Sequence, residues 1–226
     1  MLIEISKNED LCNELKFNSN KALAQAITFF AAGFETTSAT ISFTLYELCL
    51  QPQIQERLRE EIKDSIKQHN GITYDGLQKM KYLEMCIYET LRKYPVLPFL
   101  DRKCNEDYKL PGTDFIVEKG MPVLIPMMGL HYDEHYFPKP EVYDPERFSD
   151  KNIYNEKGLN YLPFGEGPRI CIGERFGMLG VKVGLTHILS EFVLERIPET
   201  PVPIKFASKS LLLQSTVGLP IGFRKL

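Results

Sequence analysis

The stretch Pro163-Phe164-Gly165-Glu166-Gly167-Pro168-Arg169-Ile170-Cys171-Ile172-Gly173 sets one cysteine among glycines, a proline and an arginine, ahead of a helical pattern. That places Cys171 at or just before a first helical turn. Amides there have no helical partner, and the dipole favours an anion. Both effects stabilise a thiolate, the form that ligates metal or attacks a substrate. Arg169 adds positive charge and Pro168 stiffens the loop. Gly165, Gly167 and Gly173 let the backbone approach a flat or bulky group. A glycine-rich turn with an incidental cysteine is the alternative. Nucleotide loops are excluded: Ile170 stands where GxGxxG needs its third glycine, and no GK[ST] occurs.

Three other groupings could carry chemistry. In Ala32-Gly33-Phe34-Glu35-Thr36-Thr37, a mid-helix glycine costs about 1 kcal/mol against alanine, so something should require it. A ligand pressed on the helix is one reason, and a threonine hydroxyl beside an acid could then deliver protons. A packing notch, with Thr36 bonded back to a carbonyl, is the other reading. Glu89 and Arg92 share a helix face and can pair, which matters only if the pair is buried. His131 and His135 in HYDEH have ligand spacing, but Tyr132 replaces the glutamate of HExxH and a third ligand is missing, so no metal site is read there.

The elements that must hold these groups follow from periodicity and punctuation. One long helix is expected from about 20 to 50, with Pro52 opening the next, where Ile54, Leu58, Ile62 and Ile66 share a face before Asn70-Gly71. Thr73 caps a short turn. A further helix puts Leu83, Ile87, Leu91 and Tyr94 on one face and stops at Pro95. Short strands are expected at 108–110, 115–117 and 121–125. Residues 133–163 show no period, and a helix runs from Cys171 to about Phe192, followed by short strands and proline-broken loops. The pattern is α+β and mainly helical.

Composition narrows the class. The chain has 226 residues, net charge −3, and is 43% hydrophobic and 25% charged, so it has enough for a core and no nucleic-acid footprint. Its five cysteines, at 12, 49, 86, 104 and 171, are odd in number and form no CxxC. A reducing compartment fits better than a disulfide framework. The charged start, MLIEISKNED, is not a signal peptide. The apolar run 22–46 could span a bilayer by length, but Glu35-Thr36-Thr37-Ser38 at its centre argues for a buried core helix instead.

Taken together, these residues resemble the cytochrome P-450 family of haem-thiolate monooxygenases. FGEGPRICIG is similar to the family's haem loop F-x-x-G-x-R-x-C-x-G at every fixed position. AGFETT is similar to its oxygen-activating helix, ETLR to its E-x-x-R helix, and Asp144-Pro145-Glu146-Arg147-Phe148 to its P-E-R-F segment. TFFAAGFETTS, PFLDRKC and GERFG most resemble the microsomal, insect detoxification type. The departure is Gly180, where the family often has an acid or amide.

The resemblance implies that residues 1–226 are the C-terminal part of one catalytic domain, without the family's membrane anchor, hinge and early helices. It implies haem b with Cys171 as axial thiolate, Phe164 shielding the iron–sulfur bond, Arg169 and Arg102 on the propionates, and Gly33 and Gly173 leaving room. Thr36 and Glu35 would guide protons. Glu89, Arg92 and Arg147 would form a buried structural cluster. Phe29, Phe30, Val96, Leu97, Phe99, Leu211 and Leu212 resemble substrate-recognition segments, and all are apolar, which favours a lipophilic substrate; plain core packing is their other reading. The implied partners are an NADPH-dependent flavoprotein reductase and, as a second donor, a b-type cytochrome. The implied location is the cytosolic face of the endoplasmic reticulum membrane.

Overall fold

A computed structural model describes residues 18–149 and 159–226, with residues 3, 5, 7, 8, 10 and 12. The long helix α1 spans Ser19–Leu50, with the Asn18 side chain accepting the Lys21 amide at 2.9 Å as its cap. Pro52 opens α2 (Pro52–His69), and Asn70 closes it in the left-handed conformation. Thr73 caps α3 (Tyr74–Lys79). Helix α4 (Lys81–Lys93) takes its cap from a distance: the Glu61 carboxylate accepts the amides of Tyr82 and Leu83, each at 2.8 Å.

Short antiparallel pairs follow. Strand β1 (Leu100–Lys103) pairs with β4 (Pro122–Ile125), and β2 (Tyr108–Lys109) with β3 (Ile116–Val117). Helix α5 (Met127–His131) and a 3-10 turn at Pro145–Phe148 follow, and another 3-10 turn is formed by Gly167–Arg169. Helix α6 (Glu174–Glu191) then runs into β5 (Phe192–Glu195), which pairs with β6 (Gly222–Lys225). The fold is α+β and mainly helical, as expected. The expected last helix begins three residues late, because Gly173 is its cap and Cys171 precedes it.

The main core joins five helices, with α3 contributing Leu77. Leu45, Leu48 and Cys49 of α1 meet Leu58 and Ile62 of α2, Leu83, Cys86, Ile87 and Leu91 of α4, and Val181, Leu185 and Leu189 of α6. Glycine sets how closely α1 and α6 cross: a Cβ on Gly184 would stand 2.9 Å from Cδ1 of Ile41, and one on Gly180 would stand 3.6 Å from Cγ2 of Thr37. Gln55 ties the ends of the core together. Its amide nitrogen donates to the carbonyls of Leu48 and Leu194, both at 3.0 Å, and its oxygen accepts the Leu194 amide at 2.8 Å. A smaller core gathers Phe43, Tyr46, Tyr94 and Leu213, with Phe43 and Tyr94 stacked at 4.6 Å.

The expectation of a buried helix over 22–46 holds for its rear part. Burial begins near Thr40, where α4 and α6 cross α1. Leu23, Ile27, Phe29, Phe30 and Phe34 are exposed, since no described element reaches them. No helix among the described residues is long and apolar enough to cross a membrane.

Candidate functional site

Four segments far apart in sequence meet at a cleft of about 410 Å³. Helix α1 contributes Thr36, Thr37 and Thr40. The chain after α4 contributes Val96, Leu97 and Phe99, then Leu100, Asp101 and Arg102 at the start of β1. The third contribution is Phe164, Gly165, Arg169 and Cys171, followed by Gly177, Met178 and Val181 on the first turns of α6, and Leu211 is the fourth.

The cysteine loop is a folded turn. Gly165 and Gly167 have φ of 75° and 79°, a conformation glycine adopts without strain. The Gly165 amide donates to the Leu162 carbonyl at 2.9 Å, the Ile170 amide to Gly167 at 3.0 Å, and the Cys171 amide to Phe164 at 2.8 Å. Cys171 is exposed, whereas Cys49 and Cys86 are buried and burial raises their thiol pKa, that of Cys49 to about 11. Arg102 and Arg169 share this cleft, and among the described residues no carboxylate pairs with either. Two unpaired guanidinium groups suit an anionic, bidentate guest.

Thr36 lines the cleft, and its hydroxyl donates to the Ala32 carbonyl at 2.7 Å. Neighbouring Glu35 does not share that cleft. It lines a different groove with Ser38, Ser42, Leu213 and Ser215, because successive helical residues turn by about 100°. Among the described residues, nothing beyond the adjoining turns of α1 itself comes within 4 Å of a Cβ placed on Gly33, and Gly173 would place one 3.9 Å from the Cys171 sulfur. Of the seven apolar residues, Val96, Leu97, Phe99 and Leu211 line the cleft. Phe29 and Phe30 do not: they lie about two turns earlier on the exposed part of α1. Leu212 does not either, since in its segment Leu211 takes the cleft and Leu213 the small core.

Behind the cleft lies a charge cluster closed to solvent. Glu89 and Arg92 are wholly buried and Arg147 is 7% exposed. Arg92 donates Nε to Oε2 of Glu89 at 2.7 Å and Nη2 to Oε1 at 2.8 Å, and its remaining capacity reaches the carbonyls of His131 at 2.9 Å and Pro140 at 2.7 Å. Arg147 Nε stands 3.4 Å from Glu89, and its Nη2 donates to Lys139. Burial pushes the Glu89 carboxyl up, opposed by Arg92, the Asp144 amide and Arg147.

Sequence reasoning did not anticipate Thr37, Thr40, Gly177 and Met178 as lining residues. Thr40 stands one helical turn after Thr36, so the helical repeat could have found it, whereas Thr37, Gly177 and Met178 enter the cleft through the crossing of α6 over α1, which local spacing does not show. It also passed over Glu47, whose buried carboxylate accepts from Lys93 at 2.9 Å and from the Tyr94 hydroxyl. Among the described residues no cluster of His, Cys, Asp and Glu could hold a metal ion, and His131 is a buried structural residue.

Residues 1–219 match the family model of Cytochrome P450. Cytochrome P450 6k1 of Blattella germanica is 51% identical over 211 residues, covering 93% of this chain and 40% of that protein. Probable cytochrome P450 6a13 of Drosophila melanogaster is 45% identical over 220 residues, covering 97% of this chain and 44% of that protein. Cytochrome P450 9e2 of Blattella germanica is 41% identical, with 96% and 41% covered. The chain thus spans about two fifths of the length of these relatives. A match over nearly its whole length, on a mainly helical α+β fold, shows that the chain belongs to the cytochrome P450 family.

Proposed function

We propose that this chain forms the thiolate-bearing part of a haem monooxygenase, as the C-terminal part of one catalytic domain. One atom of dioxygen enters a lipophilic substrate as a hydroxyl. Two electrons and two protons carry the other atom to water. The observation that carries the reading is the exposed Cys171 on a glycine turn, facing one cleft with Thr36 and the unpaired Arg102 and Arg169. The donor set fits haem b: a soft sulfur ligand for iron, two guanidinium groups for the propionates, and apolar walls for the ring. Haem, when bound, supplies the dioxygen activation and oxygen transfer.

The chain's own residues do the rest. Phe164 packs against the main core, and its carbonyl, accepting the Cys171 amide, helps hold Cys171 in place. Val96, Leu97, Phe99 and Leu211 exclude water and favour an apolar substrate. Thr36 would hold a proton-donating hydroxyl at the cleft, exchanging its Ala32 bond for one to a guest. Glu35, on its separate groove, would resupply protons from solvent rather than touch the substrate. The proposed electron donors are an NADPH-dependent flavoprotein reductase and a b-type cytochrome, at the cytosolic face of the endoplasmic reticulum membrane. Kinship to the insect relatives supports these partners.

The test is a cysteine series in the full-length chain. Cys171→Ala should abolish the red-shifted carbon monoxide band of the reduced protein, while alanine at 12, 49, 86 or 104 should leave it. Retention of the band in Cys171→Ala would overturn the assignment.

A further inference from the structure

Both ring nitrogens of His131 are committed to backbone. Nδ1 lies 3.0 Å from the Arg92 carbonyl, and Nε2 lies 3.2 Å from the Leu162 amide, which donates to it. A carbonyl only accepts, so Nδ1 carries the proton and Nε2 is the acceptor. The side chain is wholly buried, stacked on Tyr161 at 5.3 Å and edge-on to Phe137 at 6.0 Å.

This ring joins two parts of the molecule already described. On one side is Arg92, which grips Glu89 and also donates Nη1 to the His131 carbonyl at 2.9 Å. On the other side is Leu162, the root of the cysteine turn. Its carbonyl accepts the Gly165 amide, and two residues further Phe164 accepts the Cys171 amide. Packing alone would need only an aromatic ring here. The Leu162 amide needs more: it belongs to a residue 7% exposed, so without Nε2 it becomes an orphan donor beneath the loop.

We propose that His131 is a positioning residue for Cys171: its Nε2 acceptor fixes Leu162, and through the turn at 162–171 it sets where the sulfur stands in the cleft. The inference rests on reading Cys171 as the haem ligand.

Two substitutions separate the two ring nitrogens. In His131→Asn the short amide reaches the Nδ1 position and can still donate to Arg92, but nothing accepts from Leu162. In His131→Gln the longer amide reaches the Nε2 position, and its oxygen can accept from Leu162. Both are made in the full-length, haem-loaded chain. Two readouts are taken: amide exchange across 159–173 by mass spectrometry, and the share of haem giving the red-shifted carbon monoxide band. His131→Asn should speed Leu162 exchange about tenfold, the factor for one lost hydrogen bond, and lose part of the band. His131→Gln should stay near wild type in both. A soluble His131→Gln beside an insoluble His131→Asn also supports the proposal, since the same acceptor is singled out. Equal behaviour of the two, whether both unchanged, both impaired or both insoluble, overturns it. A wild type lacking the red-shifted band altogether would sink the haem-thiolate reading instead, while exchange would still judge the hold of His131 on the loop.

Discussion

Arg92 holds Glu89 through two near-parallel bonds of 2.7 and 2.8 Å, with both side chains fully out of solvent. Neither charge has water to fall back on. Glu89→Ala would leave Arg92 and Arg147 facing each other unbalanced. The expected loss is about 3–5 kcal/mol, with folded protein and bound haem lost together. Denaturant midpoints and haem content of the full-length chain measure it. A variant with normal haem but no turnover would show the cluster to be chemical instead of structural.

Arg92→Lys keeps the charge but not the fork. One ammonium cannot serve Glu89 twice while also reaching the carbonyls of His131 and Pro140. We expect the lysine variant to recover less than half of the stability that alanine loses, read from the same unfolding curves.

Thr36→Ala removes a hydroxyl from the cleft and one bond to Ala32, while alanine favours the helix. Haem and the carbon monoxide band should persist. Product per NADPH consumed should fall, with peroxide rising in step, in the reductase-coupled assay. An unchanged ratio would leave Thr36 as a helix-packing residue only.

Acid should weaken the fold through His131. Burial lowers its pKa from 6.5 to about 4. Between those values the unfolded chain binds the proton and the folded chain does not. Stability is therefore full above pH 6.5 and declines as pH falls toward 4, by at most about 3 kcal/mol. Urea midpoints at pH 7 and pH 5 should draw together in His131→Gln relative to wild type. Identical pH slopes would contradict the assignment.

The α1–α6 crossing gives a fourth kind of test. Gly184→Leu has no room beside Ile41, and should cost roughly 1–3 kcal/mol by overpacking. Adding Ile41→Ala should return much of that loss, seen as coupling in a double-mutant cycle.

Much of this architecture can be read from local pattern. Pro52, Asn70 and Thr73 mark helix ends by backbone chemistry alone, and the burial of Leu58, Ile62, Leu83, Ile87 and Leu91 follows from their spacing. Strand β1 could not be read so: Leu100-Asp101-Arg102-Lys103 has three charged residues in a row, and only its pairing with Pro122–Ile125 makes it extended. The separation of Glu35 from Thr36 depends on which elements flank α1. The role of His131 depends on partners 39 and 31 residues away, so HYDEH looked like a discarded metal motif. The cysteine turn was legible because its glycines, proline and arginine act over a few residues, whereas the cleft it faces is assembled from distant segments.

The Gln55 bridge has a consequence in time. Its partner Leu194 lies 139 residues later in the chain. At about 5–20 residues per second, synthesis leaves α2 without that partner for roughly 7–28 s. The faces of α1, α2 and α4 that await α6 emerge from the ribosome uncovered over much of that interval. Newborn chains should therefore depend on chaperone binding until the last helix arrives, and slowing translation ahead of residue 174 should lengthen that dependence.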